Sequence, residues 1–188
     1  MLRILLPLLL ALGLLMQAGA VYAQDGIEVR NARLELAEDG WRLAAAYDLD
    51  LNHGLEDALN RGIPLYFTTE VEITRPRWYW LDEKNASAKQ TLRISYNVLT
   101  RKYAAGVVGN VQQSFNTLEE ALLALRRPAR WTIAPRASLK MGETYNVSLR
   151  IGLDLQLMSK PLQVNALNNS DWRFGSDRKN FSFKAEEK

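Results

Sequence analysis

Two arginines and three aromatic rings stand close together at Arg75, Arg77, Trp78, Tyr79 and Trp80, with Pro76 between the arginines. Guanidinium groups stack on aromatic faces and pair with carboxylates and phosphates. Arg75, Arg77 and Tyr79 are therefore the candidate ligand or partner surface, and the chemistry they offer is recognition. Bond-making chemistry has less to stand on. The chain has no cysteine, which removes thiolate catalysis, disulfides and paired-cysteine zinc sites. Its one histidine, His53, lies beside Gly54 with Glu56 and Asp57 near in sequence. No serine sits in a GxSxG-type elbow, so His53 is expected to be a surface residue and no enzyme is expected. Asp48, Asp50 and Asn52 begin like a calcium loop, with oxygen ligands at alternate positions. An EF-hand needs Gly at position six and a bidentate Glu at twelve. Here those places hold His53 and Leu59. Asp48 and Asp50 also form the polar face of a strand, which accounts for them without a metal. A P-loop and a dinucleotide fingerprint are both missing, so no cofactor is expected.

Whether the Arg75–Trp80 strip meets solvent depends on the strand that carries it. Leu65, Phe67, Val71 and Ile73 alternate with Tyr66, Thr68, Glu70, Glu72 and Thr74, placing the odd residues inward. Continued unchanged, that register buries Arg75 and Arg77 and leaves Trp78 and Trp80 outside. Unpaired buried guanidinium groups are too costly for this. A one-residue bulge near Pro76 would turn Trp78 and Trp80 to the core and free Arg77. On that reading the strip is mainly a structural strand end; the alternative is a ligand strip of arginines over aromatic faces.

The same alternation runs from Tyr145 to Leu157, through Leu92, Ile94, Tyr96 and Val98, and through Trp41, Leu43, Ala45, Tyr47, Leu49 and Leu51. Weaker strands are expected at 27–36, 103–108, 111–115, 131–139 and 172–183, with Pro135 marking an edge or bulge. Two segments break the period. Residues 52–62 carry Leu55, Ala58 and Leu59 at helical spacing and close on Gly62, a residue suited to a helix end. Residues 117–126 open on a capping box, Thr117 with Glu120, and carry an apolar stripe of Leu118, Ala121, Leu122 and Leu125. Many strands and two short helices in their connections point to a mainly β fold, an antiparallel β-sandwich.

The N-terminus sets a compartment. Arg3 precedes an apolar run from Ile4 to Met16, and Val21 and Ala23 place small residues before Gln24. That is the layout of a secretory signal peptide over residues 1–23, leaving one domain at 24–188 in the periplasm. The alternative is an uncleaved segment anchoring the chain in the inner membrane, since Ile4–Ala23 has the length of a span. Formal net charge is +3, but the charges are interspersed. A nucleic-acid binder would show a clustered basic stripe, so none is expected as a partner.

Several segments together resemble a known family: "RGIPLYF", "RPRWYW", "YNVLTRKY", "SFNTLEEAL", "YNVSLRIGLDLQL", "KPLQV" and "DWRF". It is an uncharacterised family of exported proteobacterial proteins, a domain of unknown function sometimes labelled a proline-rich signal peptide protein. The resemblance covers almost the whole chain after the signal and departs at Met158–Pro161, where a second proline is missing before Lys160. It implies no activity, cofactor or catalytic residue. Genes of the family often lie near those of two-component sensor kinases, which implies an envelope protein or a sensor kinase as partner. Two classes of function follow. One is a non-enzymatic envelope module that binds a protein partner or small ligand and modulates a membrane sensor. The other is a structural or assembly protein acting through an exposed sheet edge.

Overall fold

The computed structural model describes residues 26–77, 79 and 82–186. The expected signal peptide and the orientation of Trp78 and Trp80 lie outside the described residues.

In chain order the elements are β1 (Ile27–Ala37), β2 (Gly40–Leu49), α1 (His53–Asn60), β3 (Leu65–Arg75), β4 (Glu83–Asn97), β5 (Lys102–Val107), β6 (Gln113–Phe115), α2 (Leu118–Arg126), β7 (Trp131–Ala134), β8 (Thr144–Leu153), α3 (Lys160–Leu167) and β9 (Lys179–Lys184). The strands form a three-stranded sheet, β1-β2-β7, and a six-stranded sheet, β6-β5-β4-β3-β8-β9. Every pairing is antiparallel. The fold is mainly β, as the alternation implies.

The sheets meet through apolar inner faces. Leu65, Phe67, Val71 and Ile73 of β3 are buried beside Leu92 and Ile94 of β4 and Val147, Leu149 and Ile151 of β8. Trp41 of β2 packs edge-on against Phe183 of β9, ring centroids 5.3 Å apart. The odd row of β3 includes one polar residue, Thr69, which is 2% exposed. Its hydroxyl lies 3.2 Å from the Tyr47 hydroxyl of β2, so the buried polar group is satisfied by the opposite sheet. Burial raises the Tyr47 pKa, and the Thr69 contact partly offsets this.

Both expected helices are present, each capped by its own sequence. Asn52 Oδ1 accepts from the Leu55 N–H at 2.9 Å, and Gly62 follows α1 with φ +87°. The Thr117 hydroxyl accepts from the Glu120 N–H at 3.2 Å. The Glu120 carboxylate reaches back one residue further than a standard box, to the Asn116 N–H at 3.1 Å. A third helix, α3, goes beyond the two expected from sequence.

β2 ends at Leu49, short of Leu51, and β6 begins at Gln113 rather than at residue 111. Four further strand ends differ from the sequence expectation, each with a local cause. The Tyr145 run stops at Leu153 because Asp154 turns the chain: one carboxylate oxygen accepts from the Gln156 N–H at 3.1 Å and the other from the Thr68 hydroxyl at 2.9 Å. The Trp131 strand stops at Ala134, and Pro135 leads into a 3₁₀ turn at Arg136–Ser138. Trp172 sits in a 3₁₀ turn, so the last strand holds only Lys179–Lys184. Val98 lies in the β4–β5 turn and is 58% exposed, because Asn97 Oδ1 accepts from the Leu99 and Thr100 N–H groups and closes that turn.

Among the described residues, register shifts occur in three places outside Pro76: in the β3–β4 pair, in the β1–β2 pair, and in the β2–β7 pair between Trp41 and Arg42. β3 keeps its alternation through Ile73, and the β3–β4 register slips between Ile73 and Thr74, which face Ala86 and Lys84. The extra residue is Asn85 on β4, and its side-chain oxygen is buried without a hydrogen-bond partner. A second slip lies in β1 between Val29 and Asn31. Ile27 and Val29 point inward before it, and Leu34 points inward after it. A bulge at Arg30 therefore reconciles an odd apolar phase with an even one.

Candidate functional site

Sequence reasoning singles out Arg75, Arg77 and Tyr79, and the structure places them at one corner of the six-stranded sheet. Arg75 is the last residue of β3 and stands directly across from Glu83, the first of β4. One carboxylate oxygen, Glu83 Oε2, accepts from Arg75 Nη2 at 2.6 Å and from Arg77 Nη2 at 2.5 Å. The two guanidinium groups hold the Glu83 carboxyl below its ordinary value, Arg77 contributing most. Glu83 in turn raises Arg75, as does the charge of Glu143. An open cleft runs beside this cluster, lined by Arg75, Pro76, Arg77, Tyr79 and the segment 142–144. Tyr79 is 68% exposed. Two positive groups thus face two carboxylates, Glu83 and Glu143, so the cleft has little net attraction for an anion. Arg77 is half-buried in this cluster, where the sequence places it on the solvent side of a bulge.

The remaining sequence candidates are apart from one another. His53 opens α1 at the surface. Asp48 pairs with Arg30 across the β1–β2 hairpin, and Asp50 pairs with Arg126 at the end of α2. Arg126 also donates to the Leu49 carbonyl at 2.9 Å and to Glu119 at 2.6 Å. The two aspartates anchor different elements, and among the described residues no group of three His, Asp or Glu side chains is placed to hold a metal ion.

Sequence reasoning missed the open side of the sandwich, where β1 and β9 are the two sheet edges. A groove of ≈ 760 Å³ lies between them, inside the range of roughly 300–1,000 Å³ typical of ligand sites. Leu34, Leu36, Trp41 and Phe183 line it, and its charged residues balance: Arg33, Arg136 and Lys184 against Glu35, Glu38 and Glu186. β1 itself is eleven residues long, whereas the other edges, β6, β7 and β9, have three, four and six. Among the described residues, the outer side of β1 makes one backbone hydrogen bond, from the Ile27 N–H to the Gly175 carbonyl at 3.4 Å. A row of unmet backbone donors and acceptors beside an apolar groove can take another extended chain.

The sequence profile of the family described as "Domain of unknown function (DUF4390)" matches residues 24–182. The chain belongs to the DUF4390 family. No curated protein and no solved structure matches it. The DUF4390 region begins ahead of β1 and ends at residue 182 within β9, so it contains the β1 wall of the groove, while Phe183, Lys184 and Glu186 of the opposite wall lie just beyond it. It also contains the whole Arg75–Glu83 corner. No helix among the described residues is long and apolar enough to cross a membrane. The sequence did contain a signal for the open edge: the apolar phase of β1 changes between Val29 and Ala32, which marks a bulged strand, and bulges favour sheet edges.

Proposed function

We propose that this DUF4390 chain is a non-enzymatic binding module of the cell envelope, exported to the periplasm, that takes an extended segment of a protein partner along the outer edge of β1. The observation that carries this reading is the long β1 edge, whose outer backbone groups beyond Ile27 are unpaired among the described residues, beside a groove lined by Leu34, Leu36, Trp41 and Phe183. In strand addition, backbone hydrogen bonds supply affinity and pockets for alternate side chains supply selectivity. The groove at Leu34, Leu36 and Phe183 is such a pocket row. A membrane sensor kinase with an extended periplasmic segment fits this role, and the reading merges the assembly and binding classes.

The absence of cysteine makes a direct test simple, because an introduced cysteine is unique. Arg33→Cys carrying a short cross-linker in the exporting cell should capture the partner, and mass spectrometry should map the link to an extended segment. Tyr79→Cys should give no adduct. The reverse result would favour a different reading, in which the partner docks on the corner of Arg75, Arg77 and the exposed Tyr79 ring. Export has its own test: the mature chain should begin at Gln24, and an intact Met1 in the membrane fraction would show an anchor.

A further inference from the structure

Strand addition needs an occupant, and the charge order of β1 specifies one. From Asn31 to Ala37 the strand runs in unbroken register with β2. Leu34 of this stretch is buried and Leu36 half-buried, lining the groove with Arg33 and Glu35. Arg33 and Glu35 share the opposite face and pair with each other at 2.6 Å.

We infer that the segment taken by β1 is the β1 strand of a second copy of this chain, paired antiparallel about a twofold axis through Leu34. This rests on the strand-addition reading and names its partner. Residues directly opposed in an antiparallel pair share a face. The centre of a β1–β1′ pairing that continues the sheet must therefore fall on a residue, not between two. Within the straight segment the central choices are Arg33, Leu34 and Glu35. Centring on Arg33 sets that arginine against its own copy, and centring on Glu35 does the same with two carboxylates. Like charges directly opposed destabilise a sheet.

Centring on Leu34 removes both conflicts. Arg33 then faces Glu35 of the second copy, and Glu35 faces its Arg33. On the inner face Leu34 meets Leu34, and Ala32 meets Leu36. The self-complementary pattern is what an isologous interface requires. The balanced charge of the groove, with three basic and three acidic residues along it, suits a second copy of the same surface better than a strongly charged ligand. Joining the copies makes one continuous sheet, β7-β2-β1-β1′-β2′-β7′, and pairs the longest edge of the molecule.

Analytical ultracentrifugation of the purified chain tests this, with two charge reversals. Wild type should show a concentration-dependent dimer. Arg33→Glu alone and Glu35→Arg alone should each dimerise about tenfold more weakly or worse, because each creates two like-charge cross-strand pairs per dimer. An equimolar mixture of the two variants should recover the dimer as a one-to-one heterodimer, read by native mass spectrometry, since every opposed pair is then of opposite sign. Circular dichroism and the melting curve confirm that each variant is folded. A wild type that stays monomeric at high concentration overturns self-pairing. So does a dimer indifferent to both reversals, or a mixture in which the two variants fail to associate. A monomeric wild type whose residue-33 cross-link still captures an extended segment of another protein removes the second copy alone and leaves strand addition in place. Loss of both results removes both.

Discussion

At the Arg75 corner two guanidinium groups converge on one carboxylate, while along β1 the charged side chains are matched but the backbone edge is not. The Arg75 corner has the residue types of a ligand site and spends its charge internally. β1 has the pattern of an ordinary amphipathic strand and, among the described residues, leaves a row of donors and acceptors unmet. Side-chain ion pairs at a surface contribute little and screen easily. Unpaired edge backbone is a continuous template that surface side chains do not fill. The contrast locates recognition in the main chain of β1, away from the residues with the most conspicuous side chains.

The comparison breaks most visibly at its structural floor. Trp41 is 1% exposed, donates to the Arg136 carbonyl at 3.3 Å and packs against Phe183. Trp41→Ala should cost roughly 3–5 kcal/mol in denaturant unfolding, as deletion of a buried aromatic does. It should also loosen the groove, because Trp41 joins β2 to β9 beneath it. A loss near zero would mean that the two sheets are not held together on this side.

Next in size is the hydroxyl pair between the sheets. Tyr47→Phe leaves Thr69 buried without its partner, and should cost about 1–3 kcal/mol. Adding Thr69→Val removes the orphaned group, so the double variant should lose less than the two single losses combined. Strict additivity would show that the 3.2 Å contact carries no coupling.

Smaller effects belong to the Arg75 corner. Glu83→Gln should lower stability at neutral pH, since it leaves two guanidinium groups facing each other. The folded-state pKa of Glu83 lies below its ordinary value of 4.5. Its contribution is therefore fully present above that value and is lost as pH falls through the folded pKa. The gap between wild type and Glu83→Gln should close on acidification and stay open at neutral pH. Arg77→Ala should cost less than Glu83→Gln, because Arg75 and Glu83 remain paired across the hairpin. Equal losses would mean that Arg77 carries the cluster alone.

The sequence made the strand faces legible wherever one side is buried and the other wet. Leu65–Ile73, Leu92–Ile94 and Tyr145–Ile151 alternate for that reason, and the Thr117 capping box and the closing Gly62 are local signals that bound the two helices. Strand ends were less legible. Leu155 and Leu157 continue the odd apolar phase of β8, yet Asp154 has already turned the backbone. α3 was hidden because Lys160–Leu167 spreads its apolar residues around the helix: Ala166 is buried while Val164 is 61% exposed. The partner of Arg75 and Arg77 was hidden by register, since Glu83 reaches them only across a hairpin whose strands slip at Asn85. The groove is a non-local feature, joining Leu34 to Phe183 from opposite ends of the chain. No window of sequence contains both walls.

The claim that β1 is the working edge is tested most directly by residue-resolved amide exchange over Asn31–Ala37, recorded by NMR on the dilute chain and again with its occupant bound. In the dilute chain, amides directed at β2 should be protected and the alternate ones should exchange like a loop. On binding, those alternate amides should become protected, while the amides of Arg75, Arg77 and Tyr79 should stay as they were. Protection gained at the Arg75 corner, with the outer amides of β1 still exchanging freely, would contradict the account.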